Sequence, residues 1–337
     1  MLSGAFHAWE RRLAAASTDR LVRPFEWGVD WIDSTAGVSD DAAAAFLEQW
    51  AAAAVENSDE FYALPPSDDF TLDGDRLTYP SAVVTPHPEN NIVRARYFPD
   101  RSPQGRRRAV IVLPQWNSDA QGHVGLCQLL NRFRISALRL SLPYHDERKP
   151  ADLRRADYIV SSNIGRTAQV CRQAVLDARR GIAWLASQGY ESIGILGTSL
   201  GSCLSLLTAA HEPLVRAAAL NHISPFFADV VWSGLSTRHV REGLDGHIDL
   251  PQLRRMWMPI SPYPYLERMR GREVLLVYAR YDLTFPVELS RMLVAEFGRR
   301  DVPHRVAILP CGHYSTGIGP FKWLDGLTLC RFLSRSL

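Results

Sequence analysis

Ile193-Gly194-Ile195-Leu196-Gly197-Thr198-Ser199-Leu200-Gly201-Ser202 is the stretch around which the rest of the chain is read. Ile193 to Leu196 are apolar or small, as a strand covered on both faces requires. Residues 203–210 continue as a small apolar helix. Between them stands Gly197-x-Ser199-x-Gly201, a strand, sharp turn and helix pattern that sets a serine hydroxyl at the tip of the turn. The spacing has a steric cause: a serine in strained backbone geometry needs tiny neighbours two before and two after it. At a helix N-terminus, free N–H groups and the helix dipole favour developing negative charge, so Ser199 is a candidate nucleophile. The same pattern also suits a Gly-rich loop with no chemistry, and residues nearer the C-terminus decide between the two.

Outward from this stretch, strand and helix signals alternate. Upstream, 109–113 reads as a fully buried strand, 120–133 as a helix, 135–142 as a strand and 158–188 as a long helix ending at Gly189. Downstream come strands at 215–220, 274–279 and 306–309 and helices at 287–297 and 321–336. Residues 70–80 carry Asp73-Gly74, a hairpin signal, and 91–98 alternates as a strand. Strands alternating with helices predict an α/β class, a mostly parallel sheet with helices on both faces. Residues 1–65 predict an N-terminal helical extension with helices at 6–16 and 40–56, the second capped by Ser39 or Asp40. The aromatics of 25–32 are expected to pin it to the main domain, 66–337. No Gly-rich dinucleotide fingerprint opens the first βα unit, so no nicotinamide cofactor is expected.

Two further residues complete a constellation. Asp282 lies just past the strand at 274–279, and His313 just past the strand at 306–309, both at the carboxyl edge where open α/β sheets place their sites. The order Ser199, Asp282, His313 is that of a serine triad on such a sheet. Ser199 needs a base to take its proton, His313 can be that base, and Asp282 would orient its imidazole. Singly, Asp282 could cap the next helix and His313 could be a loop residue bonded to backbone. Three suitable residues at three strand ends in the right order favour the triad.

On Gly197-Thr198-Ser199-Leu200-Gly201, Tyr281-Asp282 and Gly312-His313, residues 90–335 resemble the α/β-hydrolase superfamily. Pro143-Tyr144-His145-Asp146-Glu147-Arg148-Lys149-Pro150 is similar to a Pro-Tyr-x-x-x-Arg-Lys-Pro segment of a poorly characterised branch of it. The resemblance implies an α/β-hydrolase fold and a serine hydrolase. One departure is visible: where many members carry His-Gly after the strand ending at Leu113, this chain has Pro114-Gln115-Trp116. Pro114 has no N–H to donate. The oxyanion hole would therefore use the Leu200 N–H and that of Gln115 or Trp116, which could equally only wall the pocket.

Residues 224–270 interrupt the alternation between two sheet strands and are dense in Phe, Trp, Met and Tyr. They are expected to form a cap or lid with Trp232 and Trp257 in an apolar pocket. The alternative is a docked helical pair whose aromatics are core. His222, nearby, is expected as a hydrogen-bonded wall residue.

Lys+Arg 38 against Asp+Glu 36 leaves +2, which argues for no nucleic-acid partner. Arg106-Arg107-Arg108 reads as a solvated loop. The five cysteines are scattered, without disulfide or zinc spacing, which fits a reducing, cytoplasmic setting with no metal and no cofactor. The N-terminus lacks an apolar signal region and no run approaches a membrane span. The residues thus favour a serine hydrolase of a small, partly apolar ester, with a thioester or amide as further options, acting through an acyl-enzyme. An acyltransferase with the same triad and a non-catalytic binding protein on the same fold stay open.

Overall fold

The structure, a computed structural model, describes residues 2–101 and 105–337. Among the described residues, nine strands form one sheet in the order β1-β2-β3-β5-β4-β6-β7-β8-β9. They are β1 Thr71–Asp73, β2 Arg76–Pro80, β3 Ile92–Phe98, β4 Arg108–Leu113, β5 Ser136–Leu140, β6 Ser192–Thr198, β7 Val215–Asn221, β8 Glu273–Ala279 and β9 Arg305–Leu309. The pairings from β1 through β3 to β5 are antiparallel, and those from β5 through β4 to β9 are parallel. The hairpin expected at Asp73-Gly74 joins β1 to β2, with Gly74 at φ 60°.

The helices are α1 Leu2–Ala15, α2 Asp40–Glu56, α3 Ser58–Phe61, α4 Val124–Arg132, α5 Ile164–Ser187, α6 Leu200–His211, α7 Phe227–Ser233, α8 Arg238–Leu244, α9 Leu250–Met256, α10 Val287–Arg299 and α11 Phe321–Ser336. Side chains of β4 alternate between two buried layers, as a pleated strand covered on both faces must. Ala109, Ile111 and Leu113 face one layer with α5 and α6. Val110 and Val112 face the other, with Cys127 and Leu130 of α4 and Leu329, Cys330 and Leu333 of α11. The long helix begins later than its apolar pattern suggests, because the Asn163 side chain accepts the Arg166 N–H and caps it there.

The first 65 residues share this core. Leu47 of α2 and Tyr62 are buried in the same layer as α5 and α6, and Tyr62 donates to the Pro259 carbonyl at 2.9 Å. The aromatic stretch 25–32 does pin this segment: Glu26 bridges Asn163, and Phe25, Trp27 and Trp31 pack on the core. Much of 224–270 is core as well. Leu253, Met256, Trp257, Ile260 and Tyr265 are buried in that layer.

The segment 143–150 also has a structural task. Arg148 is fully buried, ion-paired with Asp177 of α5 at 2.8 Å, and donates to the carbonyls of Ser141 and Asn90. It ties the carboxyl end of β5 to α5. Among the described residues no helix is long and apolar enough to cross a membrane.

Candidate active site

The turn after β6 has the strained geometry its glycines anticipate. Ser199 sits at φ 56°, ψ −120°, outside the regions open to most residues. A Cβ on Gly197 would lie 2.1 Å from the Gly201 carbonyl oxygen, and one on Gly201 would lie 2.1 Å from the Leu113 carbonyl oxygen. The first turn of α6 is therefore pressed against the end of β4. Leu200, which opens that helix, stands beside the Pro114-Gln115-Trp116 loop.

Ser199, Asp282, His313, His222 and Gln115 all lie just beyond the carboxyl ends of parallel strands β6, β8, β9, β7 and β4. His313 Nδ1 donates to Asp282 Oδ2 at 2.9 Å. Asp282 Oδ1 accepts the N–H groups of Thr284 and Phe285 at 2.8 and 2.7 Å, which fixes the carboxylate. Burial would raise the Asp282 pKa, but the His313 and His222 donors outweigh it and hold this carboxyl well below its ordinary range. Burial would lower His313, and the Asp282 carboxylate, with Glu10 behind it, reverses this and holds His313 above its ordinary value. Ser199 and His313 line one cavity of about 740 Å³.

His222 is more than a wall residue. Its Nδ1 donates to the same Asp282 oxygen at 2.8 Å, and its ring lies 4.6 Å from that of His313. His222 is itself at φ 57° and is held by its N–H to the Val277 carbonyl and its carbonyl to Ser202 Oγ. Nitrogens of the two rings and an Asp282 oxygen lie within 4.8 Å of one another, close enough to share a metal ion. Both Nδ1 atoms are at hydrogen-bond distance from Asp282, so the group is built as two donors on one carboxylate.

Gln115 and Trp116 line the cavity beside Leu200. The Trp116 indole N–H is committed to the Ala156 carbonyl at 2.8 Å, and Gln115 Oε1 is buried without a partner. The two tryptophans expected in the pocket are not there. Trp257 is fully buried, with its indole N–H on the Ile164 carbonyl, and Trp232 packs outside the cavity beneath the Arg241 guanidinium. Phe226, Phe227, Val230 and Val231 form the apolar wall from this segment instead. The opposite wall comes from α4 and α11, through Leu126, Leu129 and Trp323.

Residue patterns also missed three polar groups. His123 Nε2 pairs with Thr198 Oγ1 at 2.9 Å, and burial brings its pKa down to about 4, so it is neutral. Asp325 lines the cavity beside Asn221, its pKa raised by burial to about 6. Glu10, on α1, is buried against the His313 loop. No local spacing could disclose these, since each depends on a contact made by a remote element.

No family model matches the chain, and no curated protein matches it in sequence. Solved structures do match. An acylaminoacyl peptidase of Pyrococcus horikoshii superposes with a TM-score of 0.62 at 14% identity, over 80% of this chain and 42% of its own. The acetyl xylan esterase 1 of Thermoanaerobacterium sp. JW/SL YS485 gives 0.60 at 14%, over 85% of this chain and 93% of its own. An esterase of Pyrobaculum calidifontis gives 0.51 at 16%, over 89% and 94%. The chain thus spans less than half the length of the peptidases it matches. At such identities the likeness is one of fold.

Proposed function

The chain has the α/β-hydrolase fold, and on that premise we propose that it is a serine hydrolase cleaving an ester of a small, partly apolar substrate through an acyl-enzyme. One observation carries the reading: a serine in strained elbow geometry shares a cavity with a histidine bonded at 2.9 Å to a buried carboxylate.

The geometry supports the following chemistry. With Nδ1 held by Asp282, His313 presents Nε2 as the base. Ser199 Oγ attacks the carbonyl carbon as His313 takes its proton. The oxyanion is held by the Leu200 N–H and by Gln115 or Trp116 of the neighbouring loop. Collapse breaks the bond to the alcohol, which leaves with the proton from His313. Water then repeats the sequence, frees the acid and restores Ser199. Asp282 stabilises the imidazolium in both halves, and the His222 donor keeps Asp282 ionised.

A series of p-nitrophenyl esters from acetate to octanoate tests this, with fluorophosphonate labelling in parallel. Turnover and labelling, both lost in Ser199→Ala, support it. A folded protein with neither activity nor labelling overturns it. Product formed faster when an added alcohol replaces water would mark an acyltransferase.

A further inference from the structure

We infer that helix α1 clamps the two loops that carry Asp282 and His313, and that Glu10 is its positioning residue, acting on His313 through the backbone of residues 314 and 315. The inference rests on the triad reading above.

Glu10 is fully buried. Its Oε2 accepts the Tyr314 N–H at 2.8 Å and its Oε1 the Ser315 N–H at 2.9 Å. Among the described residues no ion pair forms on it. A buried carboxylate met only by two amide dipoles is costly, and a neutral side chain could fill the same space with less penalty. The fit is close: a Cβ on Gly312 would lie 2.3 Å from the Glu10 carboxyl carbon.

One turn earlier on the same face, the Phe6 ring stacks on Tyr281 at 4.5 Å, next to Asp282. Beyond the helix, Arg20 donates to the Tyr314 hydroxyl at 2.8 Å, and that hydroxyl meets Ser236 Oγ at 2.6 Å. The segment thus touches the chain neighbours of both the acid and the base.

Two effects result. The amide bonds fix the backbone of the His313 loop, which holds the imidazole on Asp282. The buried charge favours the imidazolium that forms during each proton transfer. The other groups facing His313 are Asp282 after β8, His222 after β7, the stacked Phe285 ring and the edge-on ring of its neighbour Tyr314. Glu10 also faces the buried Cys311 thiol.

The test compares wild type with Glu10→Gln and Phe6→Ala on p-nitrophenyl butyrate across pH. Glu10→Gln keeps the shape, loses the charge and spoils one of the two amide bonds. Its kcat is expected to fall on the order of 10- to 100-fold with KM little changed, since misplacing a catalytic group costs rate more than binding. The acid limb of kcat/KM should move to lower pH, because His313 loses a nearby negative charge. Phe6→Ala should lower kcat and leave the limb in place, because no charge is lost. A Glu10→Gln protein with wild-type kcat and acid limb overturns the inference, whatever its melting temperature. If Glu10→Gln does not fold, wild-type kcat in Phe6→Ala overturns it. If the wild type turns over no ester, the hydrolase reading fails, and NMR titration of His313 still tests the clamp. A lower pKa in Glu10→Gln supports it and an unchanged one overturns it.

Discussion

At the level of single residues, the triad should behave as one unit. Ser199→Ala and His313→Ala should each remove most esterase activity, and the double variant should lose little more, because neither residue works without the other. Independent, multiplicative losses measured by kcat/KM would contradict the assignment. Asp282→Asn should lose rate mainly in kcat. His222→Leu should lose less, since it removes one of the donors on Asp282 and leaves the carboxylate itself. Asp229 and Asp245, two carboxylates of the 224–270 segment that could otherwise orient the imidazole, are paired with Arg254 and Arg241 and do not line the cavity. Because His313 is held above its ordinary value and must be neutral to accept a proton, the acid limb of kcat/KM should have its midpoint above the ordinary histidine value of about 6.5. A midpoint below that value would show that Asp282 does not govern this imidazole. The elbow was legible because its steric demand is local: two glycines and a serine must fall within five residues. The pairing of His222 with Asp282 was not, because it joins the ends of two strands 60 residues apart.

Elements raise a different question, which is whether an aromatic residue lines the substrate or only packs. Trp257→Ala empties a fully buried site and should cost about 3–5 kcal/mol of stability, read by urea denaturation. The chain-length preference on p-nitrophenyl esters should stay as in wild type. Phe227→Ala, on the cavity wall, should flatten that preference. Each methylene buried there is worth up to about 1 kcal/mol in kcat/KM. If Trp257→Ala flattens the profile and Phe227→Ala does not, the walls are misassigned. Composition alone placed aromatic residues in the right segment and chose the wrong ones. The segment must seal the core beneath it as well as face the cavity, and the two surfaces carry the same residue types. The pair Arg148–Asp177 belongs to this scale too. Arg148→Met strands a buried carboxylate and should destabilise by about 3–5 kcal/mol, while Arg148→Met with Asp177→Leu should cost less than the sum of the single changes.

Across the whole molecule, the alternating pattern disclosed the sheet, its helices and the order of the site residues along one edge. Of how the first 65 residues meet the rest, only the aromatic stretch 25–32 gave a sign; the packing of α1 and α2 stayed hidden, since packing between segments far apart in sequence leaves no periodic trace. The five cysteines give a readout of that packing. All are buried and free, and burial pushes Cys127, Cys311 and Cys330 up to about 12. Cys203 lines the cavity, where a small aromatic reagent can reach it; the other four should not react with an aromatic disulfide reagent in the native state, and all five should react in denaturant. Rapid labelling of any of those four under native conditions would reveal local opening around it. The contact between Glu10 and Tyr314 spans 304 positions, which bears on how the protein is made. Chains leave the ribosome N-terminus first, at about 5–20 residues per second. Helix α1 therefore emerges well before the loop it holds exists, and Ser199 is synthesised before Asp282 and His313. A nascent chain stopped short of Gly312 lacks the base of the proposed triad, so acyl chemistry at Ser199 would have to wait for the His313 loop to be made.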